Sequence, residues 1–543
     1  MTAALDWMRA RMVTDEQHPS LASFLAAIGE PGTRIVAGDA SVAITEVTCD
    51  SRKVQPGALF FALPGHASDG LRFARDAVRA GAAAIVVPSS AAAEGSSPAL
   101  DLPGGSAVAV VSSDDPRRLV GLAAAEIAGR PSERMTVVGV TGTSGKTSTT
   151  YFCEAIAREA GIEVGVLGTI EHRYGGQTVA AELTTPDAIE LQRLFGSMRQ
   201  AGVSHVFMEV SSHALALDRL AGTALAAGVY TNLSRDHLDY HGDLAEYEAA
   251  KAKLFREVLP RSPRSAFAVL NATDPRIRGL AQGIPVPAVT FGPGGDADTE
   301  DVELGANGIR GTLRLGGERV RFETRLIGAP HLSNLLAAAT TCWRLGLSTE
   351  AIARGIAALR GVPGRLESID RGQPFRVVVD YAHKPDALER TLESLRGLTS
   401  GRLIAVFGCG GDRDRGKRPV MGEIAGRLAD LVIITSDNPR TEDPMAIIEA
   451  IVPGVQMANC TSVAQEALGQ GGVAEFAVVP ERRAAIERAI DIARQGDVVL
   501  IAGKGHEDYQ IVGTTKWHLD DREEVGRALS RRGFAADGTG RTP

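Results

Sequence analysis

The chain has 543 residues, 23% of them charged and 44% hydrophobic, and carries a net charge of −8. That length and balance predict a globular protein of about three domains with ample core. The acidic charge argues against a general nucleic-acid or acidic-membrane binder, and no apolar run is long enough to span a bilayer.

Residues 1–19 read as a loosely ordered lead-in, without the apolar core and cleavage pattern of a secretion signal, so a cytoplasmic location is expected. A small α/β domain is expected over residues 20–132. Its strands and turns begin in SVAITEVTCDSRKVQPGALFFAL, followed by a helix in LRFARDAVRAG, strands in AAIVVP and AVAVVS, and a helix in DPRRLVGLAAAEIAG. The Ala/Gly/Ser/Pro stretch at 89–106 reads as a mobile loop, and residues 130–132 as a linker. The five cysteines, Cys49, Cys153, Cys342, Cys409 and Cys460, are scattered without CxxC or metal-ligand spacing, as reduced thiols would be.

The second domain is expected over 133–361 and opens with MTVVGVTGTSGKTSTT at 135–150. A β-branched run, a glycine turn, a Lys-Thr pair and a helical pattern form a triphosphate cradle. Gly142 and Gly145 let the backbone approach an anion. The N–H groups of the loop and helix start, through Thr143, Ser144, Lys146, Thr147 and Ser148, point at phosphates. Lys146 reaches the outer phosphates, and the Thr147 hydroxyl can ligate Mg²⁺. Val140 stands where the usual pattern has a glycine, so this is a variant loop; the alternative is a strand-to-helix turn with a stray lysine. Strand and helix patterns then alternate, predicting a mainly parallel sheet. Around residues 286–327 they give way to short hairpin-like strands. The helices HLSNLLAAATTCWRLGL and TEAIARGIAALRG end the domain.

Within this domain Glu209 ends the strand pattern HVFMEV, where a carboxylate can ligate Mg²⁺ or orient water; a plain polar strand end is the alternative. The loop NLSRDHLDYHG holds His237, which its spacing alone leaves unassigned. Lys251, in EYEAAKAKLF, reads as a solvated helix lysine near Glu248.

A third α/β domain, Rossmann-like, is expected over 362–535, with strands FRVVVDYA, LIAVFGCG, LVIITSDN, EFAVVP and DVVLIAGKG. Ligands gather at strand C-termini in such sheets, which points to residues 380–383, 408–415, 437–440 and 503–507. Arg413 and Arg440 suit fork-like recognition of a carboxylate. The tail at 535–543 reads as disordered.

Together DSR (50–52), TGTSGKT, TTP (184–186), MEVSSHAL, TNLSRDHLDYHG, EYEAAK, HLSNLLAA, VPGRLE, DYAHKPDAL, GCGGDRDRGKRP, DNPR and AGKGHEDYQ resemble the Mur ligase family across nearly the whole chain. These are ATP-dependent amide-forming enzymes of peptidoglycan precursor synthesis. The resemblance implies an N-terminal UDP-binding domain, a central P-loop ATPase-type domain and a C-terminal amino-acid-binding domain. DNPR resembles the version that adds meso-2,6-diaminopimelate to the D-Glu γ-carboxylate of UDP-MurNAc-L-Ala-D-Glu, through an acyl phosphate and a tetrahedral intermediate.

By the same resemblance Asn334, Arg365 and Asp380 lie near ATP. Thr147, Glu209, His237 and Lys251, the last carbamylated by CO₂, hold Mg²⁺ (two ions), and Lys146, Glu209, His237 and Lys251 are the catalytic set. Cys49, Ser51, His66, Ala67, Ser68, Thr184, Thr185, Ser211, Leu217 and Arg219 meet the nucleotide-sugar peptide, with Leu217 where the pattern has a glutamine. Arg413, Asp437, Asn438, Pro439, Arg440, Gly503 and Glu507 form the diaminopimelate pocket. A monomer acting on small molecules, with no nucleic acid and no membrane insertion, is expected. The rivals are a lysine-adding or folylpolyglutamate-type ligase, and a non-catalytic nucleotide-binding module.

Overall fold

The β-branched run that precedes the glycine loop forms the strand Thr136–Thr141, buried from Val137 onward. It lies between two parallel partners, His205–Glu209 and Ala227–Tyr230. A central parallel strand with both faces covered calls for this kind of continuous apolar sequence. The computed structural model describes residues 18–63, 70–93, 108–471 and 474–534.

The central sheet has eleven strands. From one edge the order is Glu318–Thr324, Gly308–Leu315, Ala297–Gly305, Ala288–Phe291, Phe267–Asn271, Ala227–Tyr230, Thr136–Thr141, His205–Glu209, Val164–Leu167, Glu171–Tyr174 and Gln177–Ala180. The middle pairings are parallel, and both ends finish in antiparallel hairpins. One face is covered by the helices Lys146–Glu159, Ala329–Arg344 and Thr349–Ala358, through Phe152, Ile156, Leu335 and Ile352. The other carries Ala188–Gln200 and Leu244–Lys253, through Leu191, Phe195 and Ala252. Because the central strands are parallel, the loops after Thr141, Glu209 and Tyr230 open on one edge, where a doubly wound sheet takes ligands.

The N-terminal sheet has five strands in the order Arg34–Ala37, Ala109–Ser113, Ala84–Pro88, Ala58–Phe61 and Glu46–Thr48, with only the first pairing antiparallel. Its helix Pro116–Ile127, capped by Asp115, packs tightly on the central domain: a Cβ on Gly121 would lie 2.4 Å from the Ala221 carbonyl. The C-terminal sheet has seven strands, ordered Glu367–Ile369, Arg376–Asp380, Val498–Ala502, Leu403–Phe407, Leu431–Ile434, Glu475–Val478 and Thr461–Ser462.

Several elements depart from the sequence reading. A helix, Leu21–Ile28, precedes the first strands. Residues 89–93 of the expected mobile loop form the short helix Ser89–Ala93. The hairpin-like strands expected around residues 286–327 form, at 297–324, and extend one edge of the central sheet. A two-stranded hairpin, Tyr509–Val512 with Thr515–His518, and a helix, Asp521–Arg531, follow the last sheet strand. Most of the lead-in, the rest of the 89–106 loop and the tail at 535–543 lie outside the described residues. Among the described residues no helix is long and apolar enough to cross a membrane.

Candidate active site

The glycine loop is shaped by what presses on it. A Cβ on Gly142 (φ 147°) would lie 1.9 Å from Thr231 Oγ1, and one on Gly145 (φ 85°) 2.3 Å from Asn334 Oδ1. The loop after Tyr230 fastens the cradle. Asn232 Oδ1 accepts from the Ser144 N–H (3.0 Å) and hydroxyl (3.2 Å), and Asn232 Nδ2 donates to the Ser144 carbonyl (3.0 Å). Thr143 Oγ1 donates to the Ser234 carbonyl (3.1 Å). The helix Lys146–Glu159 starts with no side-chain cap, so its first N–H groups, Ser148 among them, are available to an anion.

Two ammonium groups converge beneath the loop. Lys146 Nζ donates to the carbonyls of Gly142 (2.9 Å) and Thr143 (3.1 Å), and Lys251 Nζ donates to the same Gly142 carbonyl (2.9 Å). Burial pushes Lys146 down to about 8. Lys251 is only 1% exposed and is pushed well below the usual lysine value, first by burial and then by the charge of Lys146. The reading of Lys251 as a solvated helix lysine is therefore wrong. Its helix turns that face inward, and Tyr247, one turn earlier, lays its ring 4.5 Å from the ammonium.

Glu209 is 1% exposed and fully engaged. It accepts from Thr147 Oγ1 (3.0 Å), the Thr169 N–H (2.9 Å) and Thr169 Oγ1 (3.0 Å). Thr169, which the sequence reading did not single out, links this carboxylate to Thr184 Oγ1 (3.1 Å). The Thr185 hydroxyl donates to the Glu209 carbonyl (2.9 Å) and accepts from the Ser211 N–H (3.0 Å), while Arg219 holds the Thr185 carbonyl (2.9 Å). These side chains thus form one polar chain leading away from the phosphate cradle. Leu217 ends the short helix Ser212–Ala216 beside it.

His237 sits at φ 51°, with Nε2 3.1 Å from Asp236 Oδ2, and burial pushes its imidazole down to about 4. Asp236 also pairs with Lys384, which reaches across from the C-terminal domain. Burial alone would raise the Asp236 carboxyl, but Lys384 and His237 outweigh it and hold it low. Arg365, from the same domain, places Nη2 3.5 Å from Thr147 Oγ1 and its guanidinium 4.5 Å from the Tyr381 ring centroid. Asp380 braces this linker: its carboxylate accepts from the N–H groups of Leu366 (2.7 Å) and Ala382 (2.9 Å), and burial raises it.

Among the described residues no three His, Cys, Asp or Glu side chains cluster as a metal cage. What the cradle offers a hard cation is one hydroxyl and one carboxylate, Thr147 and Glu209, 3.0 Å apart beneath an anion site. That suits an ion whose remaining ligands are phosphate oxygens and water.

In the C-terminal domain Asn438, 5% exposed, donates through Nδ2 to Glu507 Oε2 (2.9 Å). Asp437 is 6% exposed, and its Oδ1 is buried without a hydrogen-bond partner. Arg440 (φ 52°) donates from Nη1 to the Gly411 carbonyl (2.7 Å) and from its backbone N–H to Ile511 (3.0 Å). Gly411 lies so close to the Pro439 carbonyl that a Cβ would meet it at 1.9 Å, and Gly503 adopts φ 121° facing Asp437. Arg413 is exposed at the rim. The expected diaminopimelate residues therefore do meet in one place.

In the N-terminal domain Ser51 opens a single 3₁₀ turn, Ser51–Lys53, capped by Asp50, and Cys49 is exposed next to it. His66, Ala67 and Ser68 lie outside the described residues.

The comparisons follow the same three-part order. Residues 43–129 match the model of the Mur ligase family, catalytic domain; 140–342 match the Mur ligase middle domain; and 364–505 match the Mur ligase, glutamate ligase domain. The chain is 47% identical over 506 residues to the UDP-N-acetylmuramoyl-L-alanyl-D-glutamate--2,6-diaminopimelate ligase of Geobacter metallireducens, covering 91% of this chain and 96% of that protein. The protein of the same name from Solibacter usitatus is 42% identical over 497 residues, covering 91% and 95%. A solved structure of a ligase of that name superimposes with a TM-score of 0.67 at 31% identity, covering 95% of this chain and 99% of that one.

Proposed function

The chain belongs to the Mur ligase family, and we propose from that membership that it joins meso-2,6-diaminopimelate to the D-Glu γ-carboxylate of UDP-MurNAc-L-Ala-D-Glu in peptidoglycan precursor synthesis. It is an ATP-dependent, amide-forming ligase acting on small-molecule substrates. One observation carries this reading. The phosphate cradle, the Glu209–Thr184 polar chain and the Asn438–Glu507 pocket are all intact in a chain alike over nine-tenths of its length to ligases of that name.

The residues divide the work as follows. The loop N–H groups and Lys146 receive the phosphates and stabilise charge on the group in transfer. For Lys146 this means leaving the Gly142 and Thr143 carbonyls for the anion. Thr147 and Glu209, with His237 the further expected ligand, would hold Mg²⁺, which would supply charge neutralisation on the phosphates. Asn334, pressed on Gly145, and Arg365 border the nucleotide. Thr184, Thr185, Ser211 and Arg219 orient the peptide end of the nucleotide-sugar, whose uridine diphosphate lies over Ser51. The γ-carboxylate attacks the terminal phosphorus of ATP and releases ADP, giving an acyl phosphate; the amine of the incoming amino acid then attacks its carbonyl carbon, and the tetrahedral intermediate loses a proton and expels phosphate to leave the amide.

Lys251 is poorly housed as an ammonium: among the described residues it has one carbonyl acceptor, Gly142, besides the Tyr247 ring, in a buried site. As a neutral amine it adds CO₂, losing one proton, to give a carbamate anion beside the Mg²⁺ site. Arg440 and Arg413 meet the distal carboxylate of diaminopimelate, and Glu507 its ammonium. Lysine lacks that carboxylate and would leave the half-buried Arg440 without its anion, which lowers specificity for it. We further read the domains as 20–132, 133–361 and 362–535, the protein as a cytoplasmic monomer, and the C-terminal domain as closing on ATP.

Phosphate release with ATP, Mg²⁺ and the nucleotide-sugar dipeptide, in parallel with meso-diaminopimelate, L-lysine or neither, tests the reading. Turnover only with diaminopimelate is expected. Turnover with lysine overturns the specificity, and silence in all three returns the chain to a nucleotide-binding module.

A further inference from the structure

Lys504 is 0% exposed, although it stands among residues that would line a substrate pocket. Its Nζ donates to Asn438 Oδ1 (3.3 Å) and Glu507 Oε2 (3.2 Å) and lies 4.0 Å from Asp437 Oδ1. The Ile511 N–H donates to the same Asn438 oxygen (2.9 Å). Two donors on Oδ1 fix the amide: a flip would set its NH₂ against an ammonium and an N–H. Nδ2 is thereby aimed at Glu507 Oε2, which then holds two donors, leaving Oε1 without one among the described residues. The neighbouring cation, Arg482, is already neutralised by Asp521 at 2.7 Å. The carboxyl groups of Asp437 and Glu507 thus stand about the Lys504 ammonium, Lys417 acts on Asp437 as well, and Asp437 Oδ1 is buried without a hydrogen-bond partner.

We propose that Lys504 is the positioning residue of the amino-acid pocket. It locks Asn438 and one oxygen of Glu507 so that Glu507 Oε1 and Asp437 Oδ1 together face the ammonium of the incoming amino acid. A buried lysine kept for stability alone is a poor choice, since an apolar side chain of its volume usually serves as well or better. What Lys504 adds is direction. The hairpin strand Tyr509–Val512 reinforces it, because Gln510 Nε2 holds the Asp437 carbonyl (2.7 Å) and the Arg440 N–H bonds Ile511 (3.0 Å). The inference rests on reading this site as the diaminopimelate pocket.

Steady-state kinetics of Lys504→Met beside wild type, with each substrate varied in turn and melting followed in parallel, test it. The KM for diaminopimelate should rise about ten-fold or more, the scale of a lost charge-assisted hydrogen bond. The KM values for ATP and the nucleotide-sugar should stay within about two-fold. An unchanged diaminopimelate KM overturns the inference, as does a common shift of all three constants with a lowered Tm, which is the mark of a merely structural lysine. If Lys504→Met does not fold, Lys504→Arg carries the same expectation, because its fork keeps the charge but not both contacts. If wild type itself ignores diaminopimelate, the pocket reading fails first, and visibly so.

Discussion

Replacing Lys146 with methionine should stabilise the protein while ending its turnover. Burial lowers the lysine from 10.5 to about 8, a penalty on the charged form of about 3 kcal/mol. Methionine removes that penalty but also gives up two hydrogen bonds, to Gly142 and Thr143, worth about 1 kcal/mol each. A net gain of about 1–2 kcal/mol remains, or about 2–8 °C in the transition of the central domain. The sign with pH follows from proton counting. Between pH 8 and 10.5 the unfolded chain holds this proton and the folded chain has lost it, so the wild type gains stability as pH rises through that window. The advantage of Lys146→Met should be full at pH 7, vanish at about pH 9 and reverse above it. Differential scanning fluorimetry across that range reads it, with phosphate release scoring activity. A lower Tm at pH 7, or an offset that does not change with pH, would refute the account of a desolvated lysine. Surviving turnover would remove the lysine from phosphate binding.

Gly145→Ala puts a Cβ 2.3 Å from Asn334 Oδ1 at φ 85°. A left-handed strain of about 1–2 kcal/mol and a displaced Asn334 should raise the KM for ATP by about ten-fold, and an unchanged KM would show that the loop has slack. Lys251→Ala should lose activity that short carboxylates such as formate partly restore; full activity without them would sink the carbamate. Lys384→Ala strands Asp236, whose side chain is 8% exposed, and should weaken domain closure by about 1–3 kcal/mol. Scattering with an ATP analogue and nucleotide-sugar should then show less compaction than wild type, together with a lower kcat, and equal compaction at equal kcat would refute the strut.

The sheets were legible because their strands carry local signals. Val137 to Val140 and the C-terminal runs such as LIAVF have the continuous apolar character of strands covered on both faces. The elements that escaped lack such a signal. The strand Gln177–Ala180 is exposed throughout, and Thr515–His518 likewise, so neither shows the alternation that half-burial imposes. They exist because a neighbouring strand offers its free edge.

The site divides on the same line. The glycine loop is a local motif, and its geometry follows from its letters. Lys251 was misread because its sequence window contains only its own helix, whereas its burial comes from Gly142, more than a hundred residues away. Asp236 and Lys384 are likewise brought together by folding alone. Only in three dimensions does the electrostatic design appear. Lys146, Lys384 and Arg365 come together around Glu209 and Asp236, with Asp380 beside Arg365. A chain of net charge −8 thus gathers three cationic side chains beside its phosphate cradle. A triphosphate in that cradle would pair with these cations, two of which, Lys384 and Arg365, reach it from the C-terminal domain. On the proposed reading, the charges that would receive ATP would therefore also favour closure of the C-terminal domain over it.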